Sequence, residues 1–564
     1  MASSEDDQSL PKAGSSTTND IHLGESIAGM DEDEPTVEWK PSKHEKAIIF
    51  TLAFLNLIVS LDATIVVTSL TSIVEDIGGT TTQAFWIGTS YLLVNAVSMP
   101  IISSISEVIG RPVCLTFAIV VFIIGTILCC TAHSIAVMLV GRSIQGVGGG
   151  GIHIISLVTQ TDFVPLRWRP KWYGVTLAAW AIGLSLGPII GGIIAERTTW
   201  RWIFYLMFPI LGFGLVAVPY LLTLRPKKTT VQEKFSRIDW LGILIFTGSI
   251  TSFLIAISWG GTQYPWKSAA TLAPLIIGVI GIIATGFYEA YVAKFPFLRK
   301  SLFHDQSSVI GYIAGGMQGI ILYGTLYYVP FYFESVKAYS PTNTGVALLA
   351  FLLASATSGI MTGRLMTRFN NFRWAIWIGW LLGCVGMAIY VVWRVNDTKP
   401  VWVITLLIAG ISQGTLTTSQ NFATQAMCKS GDEGAASAMY TFVRQLGIAL
   451  GIGTGATTFQ NVLKLKLGWD GLPTEIADRA GIYTSALHAL PDGPRKDAIY
   501  DAYKFGFQIV FATWLGVSVV LLFLTLVFIK HTDMNRKLVS EHRLDSNRID
   551  RHWGRKDTGS EAKV

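Results

Sequence analysis

Charge is scarce in this sequence: Asp, Glu, Lys and Arg supply only 14% of 564 residues, while 51% are apolar. A water-soluble chain of this length needs far more polar surface, so a single unit embedded in lipid fits better. Cysteine is also sparse. Cys114, Cys129, Cys130, Cys384 and Cys428 lie in or beside apolar stretches, with neither a paired extracellular framework nor metal-ligand spacing, which leaves them as core fillers and implies no metal. No G-x-x-x-x-G-K-[ST] string is present to cradle phosphates, which argues against an ATP-driven pump. No nucleophile stands beside a base and no His/Glu/Asp group has the spacing of an intramembrane metal site, so neither an enzyme nor a cofactor is implied. The net charge of +6 comes from basic residues scattered through short polar segments, without the aromatic interleaving of a nucleic-acid surface.

Hydrophobic length is what the chain has in quantity, with a mean hydropathy of +0.48. Runs of about 18 or more apolar residues, each long enough to cross a bilayer core of roughly 30 Å, recur at 47–69, 85–105, 113–132, 136–160, 172–194, 202–223, 239–259, 271–293, 309–333, 343–362, 375–393, 401–422, 435–459 and 506–529. They predict an all-α integral membrane protein of about fourteen transmembrane helices. Fifty-five glycines, costly in soluble helices, let membrane helices approach closely. Residues 1–46 are polar and acidic, with Asp31, Glu32, Asp33 and Glu34 in one run; they carry no cleavable signal, and the first span is expected to direct insertion. With the N-terminus cytoplasmic, the short cytoplasmic loops hold sixteen basic residues and the short outer loops six, so the positive-inside rule predicts that both termini, including a tail at 530–564, are cytoplasmic and that a long 460–505 loop is outside.

Span starts 47, 113, 136 and 172 recur at 309, 375, 401 and 435, offset by 262 to 265 residues. Gly183, Gly187 and Gly191 recur as Gly447, Gly451 and Gly455, offset by 264. The repeat predicts two six-helix bundles, 47–223 and 309–529, joined by a 224–308 linker that carries two additional spans. Repeated halves build a central site that opens to either side.

The sharpest string is GLSLGPIIGG at 183–192. Its four-residue steps align Gly183, Gly187 and Gly191 on one helical face, and Pro188 leaves the Leu184 carbonyl without its usual partner. Ordinary small-residue packing is one reading. The string also resembles the antiporter motif G-x-x-x-G-P-x-x-G-G of drug:proton antiporters in the major facilitator superfamily, and matches every fixed position, including Gly192. LDATIVVTSL (61–70) is similar to the L-D-x-T-I-V-x-x-A-L signature of the fourteen-span branch, with Ser69 in place of alanine. LVGRSIQGVGGGG (139–151) resembles the span-four motif through Arg142, Gln145 and Gly146, and WRWIFY (200–205) the usual W-R-W-x-F, although Met207 stands where asparagine is common. SSISEVIGR (103–111) departs most from its counterpart, G-x-L-a-D-r-x-G-R: Ser103, Glu107 and Val108 replace glycine, aspartate and arginine, while Glu107, Gly110 and Arg111 keep the elements of a cytoplasmic charge latch. The whole pattern is most like fungal multidrug and toxin efflux pumps.

Charges at membrane depth are expensive and usually face a cavity or a partner. Asp62 and Arg142 each lie about seven residues inside the outer ends of their spans, roughly 10 Å deep at 1.5 Å per residue, so they can pair. Substrate entry or drier surroundings would favour proton uptake by Asp62, the minimum an antiporter needs; a static ion pair is the alternative. His153 is of the residue type that titrates near neutrality or, equally, a packing histidine. Gln318, Gln413, Gln420, Asn421 and Arg444 are candidates to line a cavity in the second half or to bond helices together. The resemblance implies a proton-coupled exporter of small amphipathic organic molecules, most naturally in a plasma membrane, whose partners are substrate, protons and lipid. A fourteen-span importer, for example of an iron–siderophore complex, is the alternative.

Overall fold

The computed structural model describes residues 39–66, 69–78, 81–222, 233, 236–260, 264–394, 398–478 and 480–535. Most of the polar segments at 1–46 and 530–564, and the basic residues Arg225, Lys227, Lys228 and Lys234, therefore lie outside the described residues. The chain divides into two units, 1–40 and 41–564. In the first, residues 39 and 40 have no regular structure; the second contains every element below.

Fourteen long helices follow one another: α1 Lys43–Ile65, α2 Thr81–Ile109, α3 Arg111–Cys130, α4 Ile135–Phe163, α5 Arg169–Arg197, α6 Met207–Leu221, α7 Trp240–Trp259, α8 Ala269–Tyr291, α9 Gln306–Ser335, α10 Pro341–Phe369, α11 Arg373–Val391, α12 Lys399–Met427, α13 Glu433–Trp469 and α14 Pro494–Phe528. Local chemistry sets their ends. Ser42 starts α1 with a capping box, its hydroxyl accepting from the Glu45 amide (3.2 Å) while the Glu45 carboxylate accepts from the Ser42 amide (2.7 Å). Gly110, at φ +119°, turns the chain between α2 and α3, and Pro112 follows in the first turn of α3. Ser134 caps α4 and Asp239 caps α7.

Among the described residues, thirteen helical segments are long and apolar enough to cross a membrane, one of them, Trp202–Leu221, joining the short helix Trp202–Tyr205 to α6. The exception is α13, whose 37 residues provide ample length but whose polarity is too high for the same measure. Its stretch beyond 459 also corrects the expected long loop. Leu463 and Leu467 bury one helical face while Lys464 is exposed on another, so the helix continues although hydropathy falls. Short helices Glu475–Asp478 and Ala480–Ala489 follow, and α14 begins at residue 494 rather than 506, burying Ile499, Ala502, Tyr503 and Gly506. The expected 460–505 loop is thus mostly helical.

Packing repeats along the chain. The pairs α1/α5, α2/α4, α3/α4 and α3/α6 recur eight helices later as α9/α13, α10/α12, α11/α12 and α11/α14. The contacts α5/α10 and α2/α13 join the two sets. The hairpin α7/α8 stands outside this repeat, and α7 lies on α2 and α13 through Leu93, Val97, Phe246, Ile250, Leu254 and Phe442.

The glycine stripe seen in the sequence is the α1/α5 seam. A β-carbon on Gly183 would meet the Leu57 carbonyl at 2.5 Å and the Ser60 hydroxyl, and one on Gly187 would meet the Ile65 nitrogen at 3.0 Å and the Thr64 hydroxyl. The Ser69 hydroxyl donates to the Gly191 carbonyl (3.1 Å). Its echo, Gly447, Gly451 and Gly455, presses α13 onto the Gly316 and Ile320 carbonyls and the Tyr328 ring of α9. Helix α5 passes through Pro188 without a break. Gly192 is off the seam, with open space around its missing side chain.

This difference yields a paired prediction. Overpacking a tight seam costs about 1–3 kcal/mol, so Gly187→Ala should lower the thermal midpoint of the purified protein by several degrees while Gly192→Ala leaves it unchanged. Equal midpoints for the two variants would mean that the seam bears no load.

Candidate functional site

Arg142 projects from α4, seven residues after its start, and Asp62 from the last turn of α1. Both are completely buried, and Arg142 Nη1 lies 2.7 Å from Asp62 Oδ2. The guanidinium has further company. Nη1 also donates to Gln145 Oε1 (2.8 Å), Nε donates to the Ile87 carbonyl (3.2 Å), and the Tyr91 ring lies 4.4 Å from the guanidinium carbon. Gln145 in turn donates to the Thr126 hydroxyl (2.9 Å), and Tyr91 donates to the Val59 carbonyl of α1 (3.2 Å). One oxygen of the pair, Asp62 Oδ1, and one nitrogen, Arg142 Nη2, have no hydrogen-bond partner. The carboxylate thus depends on one contact, whereas the arginine has neutral partners that remain if the charge on Asp62 disappears.

Glycines make this arrangement possible. A β-carbon on Gly146 would strike the Tyr91 carbonyl at 2.8 Å, and one on Gly149 the Tyr91 hydroxyl at 2.7 Å, so the glycine-rich run of α4 lets α2 come close enough to bring Tyr91 over Arg142. Deeper in α4, His153 Nδ1 is 2.7 Å from Asn56 Oδ1, and its ring centroid is 4.5 Å from that of Trp180. The motif residues announced Arg142, Gln145 and Gly146. Asn56, Tyr91, Thr126 and Trp180 carried no such signal, because only the fold brings them to the site.

The second half gathers a separate polar group. Arg444 Nε donates to Gln318 Oε1 (3.0 Å), and Gln318 Nε2 donates to Gln413 Oε1 (2.7 Å) and the Thr417 hydroxyl (3.1 Å). Asn421 sits elsewhere, accepting from Gln425 and Ser437, and both amide atoms of buried Gln420 are unpartnered. The five second-half candidates therefore divide between a cluster built on Gln318, Gln413 and Arg444 and two residues further along α12.

At the end of the helices where α2 meets α3, a chain of charges crosses the molecule. Arg111 binds Asp162 (3.0 Å), the Ser103 carbonyl (3.2 Å) and the Ser106 hydroxyl, and is only 3.9 Å from Glu107. The shorter contact of Glu107 is with Arg299, which also binds Asp432 (2.6 Å) between α12 and α13. The latch is thus wider than the sequence motif: Glu107 joins the first half to the linker and, through Arg299, to the second half. Gly110 supplies the turn, with open space where a side chain would begin. On the same face Arg169 reaches Gln425 (3.1 Å) and Arg167 reaches the Thr367 carbonyl (3.3 Å), while Gly363 admits the Pro170 carbonyl and Gly359 admits Leu177. These links join the two halves on the latch face. On the opposite face, Asp76 binds Arg201 (2.7 Å) and the Trp200 indole (3.0 Å), which hold its carboxyl below the ordinary range. Whatever stability that contact contributes is complete above the ordinary carboxylate pKa and is lost as pH falls through the lowered value.

The model of the Major Facilitator Superfamily matches residues 52–452. The chain is 35% identical to "MFS transporter L2" of Phoma sp., covering 89% of this chain and 85% of the relative, and 31% identical to "MFS-type efflux pump LUC4" of Fusarium sp., covering 97% of both. Among solved structures it superposes on the human organic anion transporter MFSD10 (TETRAN) at 15% identity and a TM-score of 0.55, covering 86% of this chain and all of that one. It also superposes on the proton:xylose symporter XylE at 13% identity and a TM-score of 0.56, covering 87% and 96%; both show the fold alone. The chain belongs to the Major Facilitator Superfamily. It is a multi-pass membrane transporter of small molecules, not an enzyme.

The latch is open to test. Its two partly exposed pairs through Arg299 are worth roughly 0.2–1 kcal/mol each, so Arg299→Ala should raise the open population about two- to thirtyfold. Labelling of buried Cys428, at the latch end of α12, by a maleimide should accelerate accordingly, while Cys384 on α11 is unaffected. An unchanged Cys428 rate would remove Arg299 from the gate.

Proposed function

We propose that this protein exports small amphipathic organic molecules, such as drugs, toxins or secondary metabolites, by proton-coupled alternating access between two six-helix bundles, 47–223 and 309–529. The buried Asp62–Arg142 pair is the observation that carries the coupling role. A carboxylate with a single ionic contact can take up a proton, and Arg142 then keeps Gln145, the Ile87 carbonyl and the Tyr91 face. Protonation would therefore break the ionic contact between α1 and α4 while Arg142 keeps these neutral partners.

The cycle follows from the two seams. With the latch made, the two halves are joined on the latch face; breaking Glu107–Arg299–Asp432 and parting α5 from α10 would separate them there. We take the latch face as cytoplasmic, because the basic residues of the short loops fall on that side, and the membrane as the plasma membrane. Export rather than import is supported by the antiporter string at 183–192 and by relatives named as efflux pumps.

Asp62→Asn keeps the side-chain shape and removes the titratable charge. In inside-out vesicles at several imposed pH gradients, the variant should lose gradient-driven substrate accumulation down to background while retaining gradient-independent exchange. Full gradient dependence in well-folded Asp62→Asn would refute the coupling role; loss of thermal stability with pH dependence retained would make the pair a structural fixture.

A further inference from the structure

Among the described residues, Arg142 and Arg444 sit well inside long helices, and only Arg142 has a carboxylate partner. Arg142 has Asp62. Arg444 lies eleven residues into α13, roughly 16 Å along the helix, and has no carboxylate within salt-bridge distance among the described residues. Its one protein hydrogen bond, from Nε to Gln318, goes to a neutral amide. Gln318 is held by Gln413 and Thr417, so the guanidinium is oriented from behind. Neither Nη nitrogen is among the buried polar atoms that lack a partner, and the residue as a whole is half-buried, so the Nη edge opens into accessible space.

Both halves contribute groups near the guanidinium. Groups near the Arg444 guanidinium include His153 on α4, Tyr173 on α5, Tyr323 on α9 and Tyr440 on α13 itself. None of these four supplies a negative charge. Two helices of the first half and two of the second thus surround a fixed cation with aromatic hydroxyls and an imidazole. An uncompensated cation at this depth is costly, and it is retained most economically where a ligand brings the counter-charge. An arginine whose Nε edge is already engaged presents its two Nη groups as a planar fork, the geometry that receives a carboxylate in two parallel hydrogen bonds.

We propose that Arg444 is the anion-recognition residue of the transport site and that the preferred cargo is an amphipathic organic acid, its carboxylate on the Nη edge and its apolar body against the tyrosines. The assignment rests on the transport reading above and names its substrate class. It also separates two tasks: Asp62 and Arg142 handle the proton in the first half, and Arg444 reads charge in the second.

The test uses purified full-length protein and matched probes: fluorescein, dansyl-glycine and hexadecanedioic acid, each against its methyl ester. A charge-assisted bond exchanged for a neutral contact corresponds to about a tenfold change in affinity or more. Wild-type protein should bind at least one acid about tenfold more tightly than its ester. Arg444→Gln should erase that preference by weakening the acid and not the ester, and Arg444→Lys should retain part of it. If every ester equals or exceeds its acid, including the case in which no acid binds, or if folded Arg444→Gln keeps the preference, the proposal is overturned; the wild-type comparison stands even if the variant does not fold. Uptake of the same probes into inside-out vesicles separates the two levels. Acid-selective binding without uptake would count against export and leave Arg444's role intact, whereas uptake indifferent to charge would refute Arg444's role and leave export standing.

Discussion

A guanidinium and a carboxylate placed inside a membrane hold each other there because neither tolerates hydrocarbon alone. The Asp62–Arg142 contact at 2.7 Å ties α1 to α4, and much of the first half is built to allow it. Glycines in α4 admit the backbone and ring of Tyr91, glycines in α5 bring that helix against α1, and Gln145 and Thr126 absorb what the carboxylate leaves unmet. Truncating one member would strand the other as an uncompensated buried charge, a more severe loss than the pair's net contribution to stability. The interaction is therefore weak evidence for a stability device, and the proposed coupling role would make it a switch in which Arg142 keeps its neutral hydrogen-bond partners.

The rest of the molecule follows from giving such a switch something to move. Packing in the two sets of six helices repeats, with α1/α5 answered by α9/α13 down to the spacing of the glycines. The two sets meet through α5/α10 and α2/α13, contacts that exchange with each other under the same repeat. Seams of small residues slide or part with little repacking, whereas the ionic latch at one end is made or broken as a unit. Arg299 adds a feature of the linker to this scheme. By binding both Glu107 and Asp432, it ties the segment after α8 to both sets of helices.

Helix number, the repeat and the pairing of Asp62 with Arg142 were legible in the sequence because each rests on hydrophobic length or on the cost of a charge in lipid. The extent of α13 and α14 was not, since their outer turns are amphipathic and hydropathy falls where helix formation continues. The latch was half legible: Glu107, Gly110 and Arg111 stand in one string, but Asp162, Arg299 and Asp432 come from three distant segments and only the fold unites them. Arg444 was visible as a lone charge in a span. Its meaning depends on the lack of a carboxylate partner among the described residues, and that is a fact of three dimensions. Gly192 shows the converse, a fixed motif position with open space around it.

The central claim is that Asp62 itself takes up the proton. Infrared difference spectroscopy of the reconstituted protein, recorded across a pH titration with and without transported substrate, reads carboxyl protonation directly. The account predicts a protonated-carboxyl band that grows as pH falls, shifts when substrate is added, and is missing from Asp62→Asn with the remaining difference spectrum preserved. A band of equal intensity and pH dependence in Asp62→Asn would place the proton on another group and contradict the account.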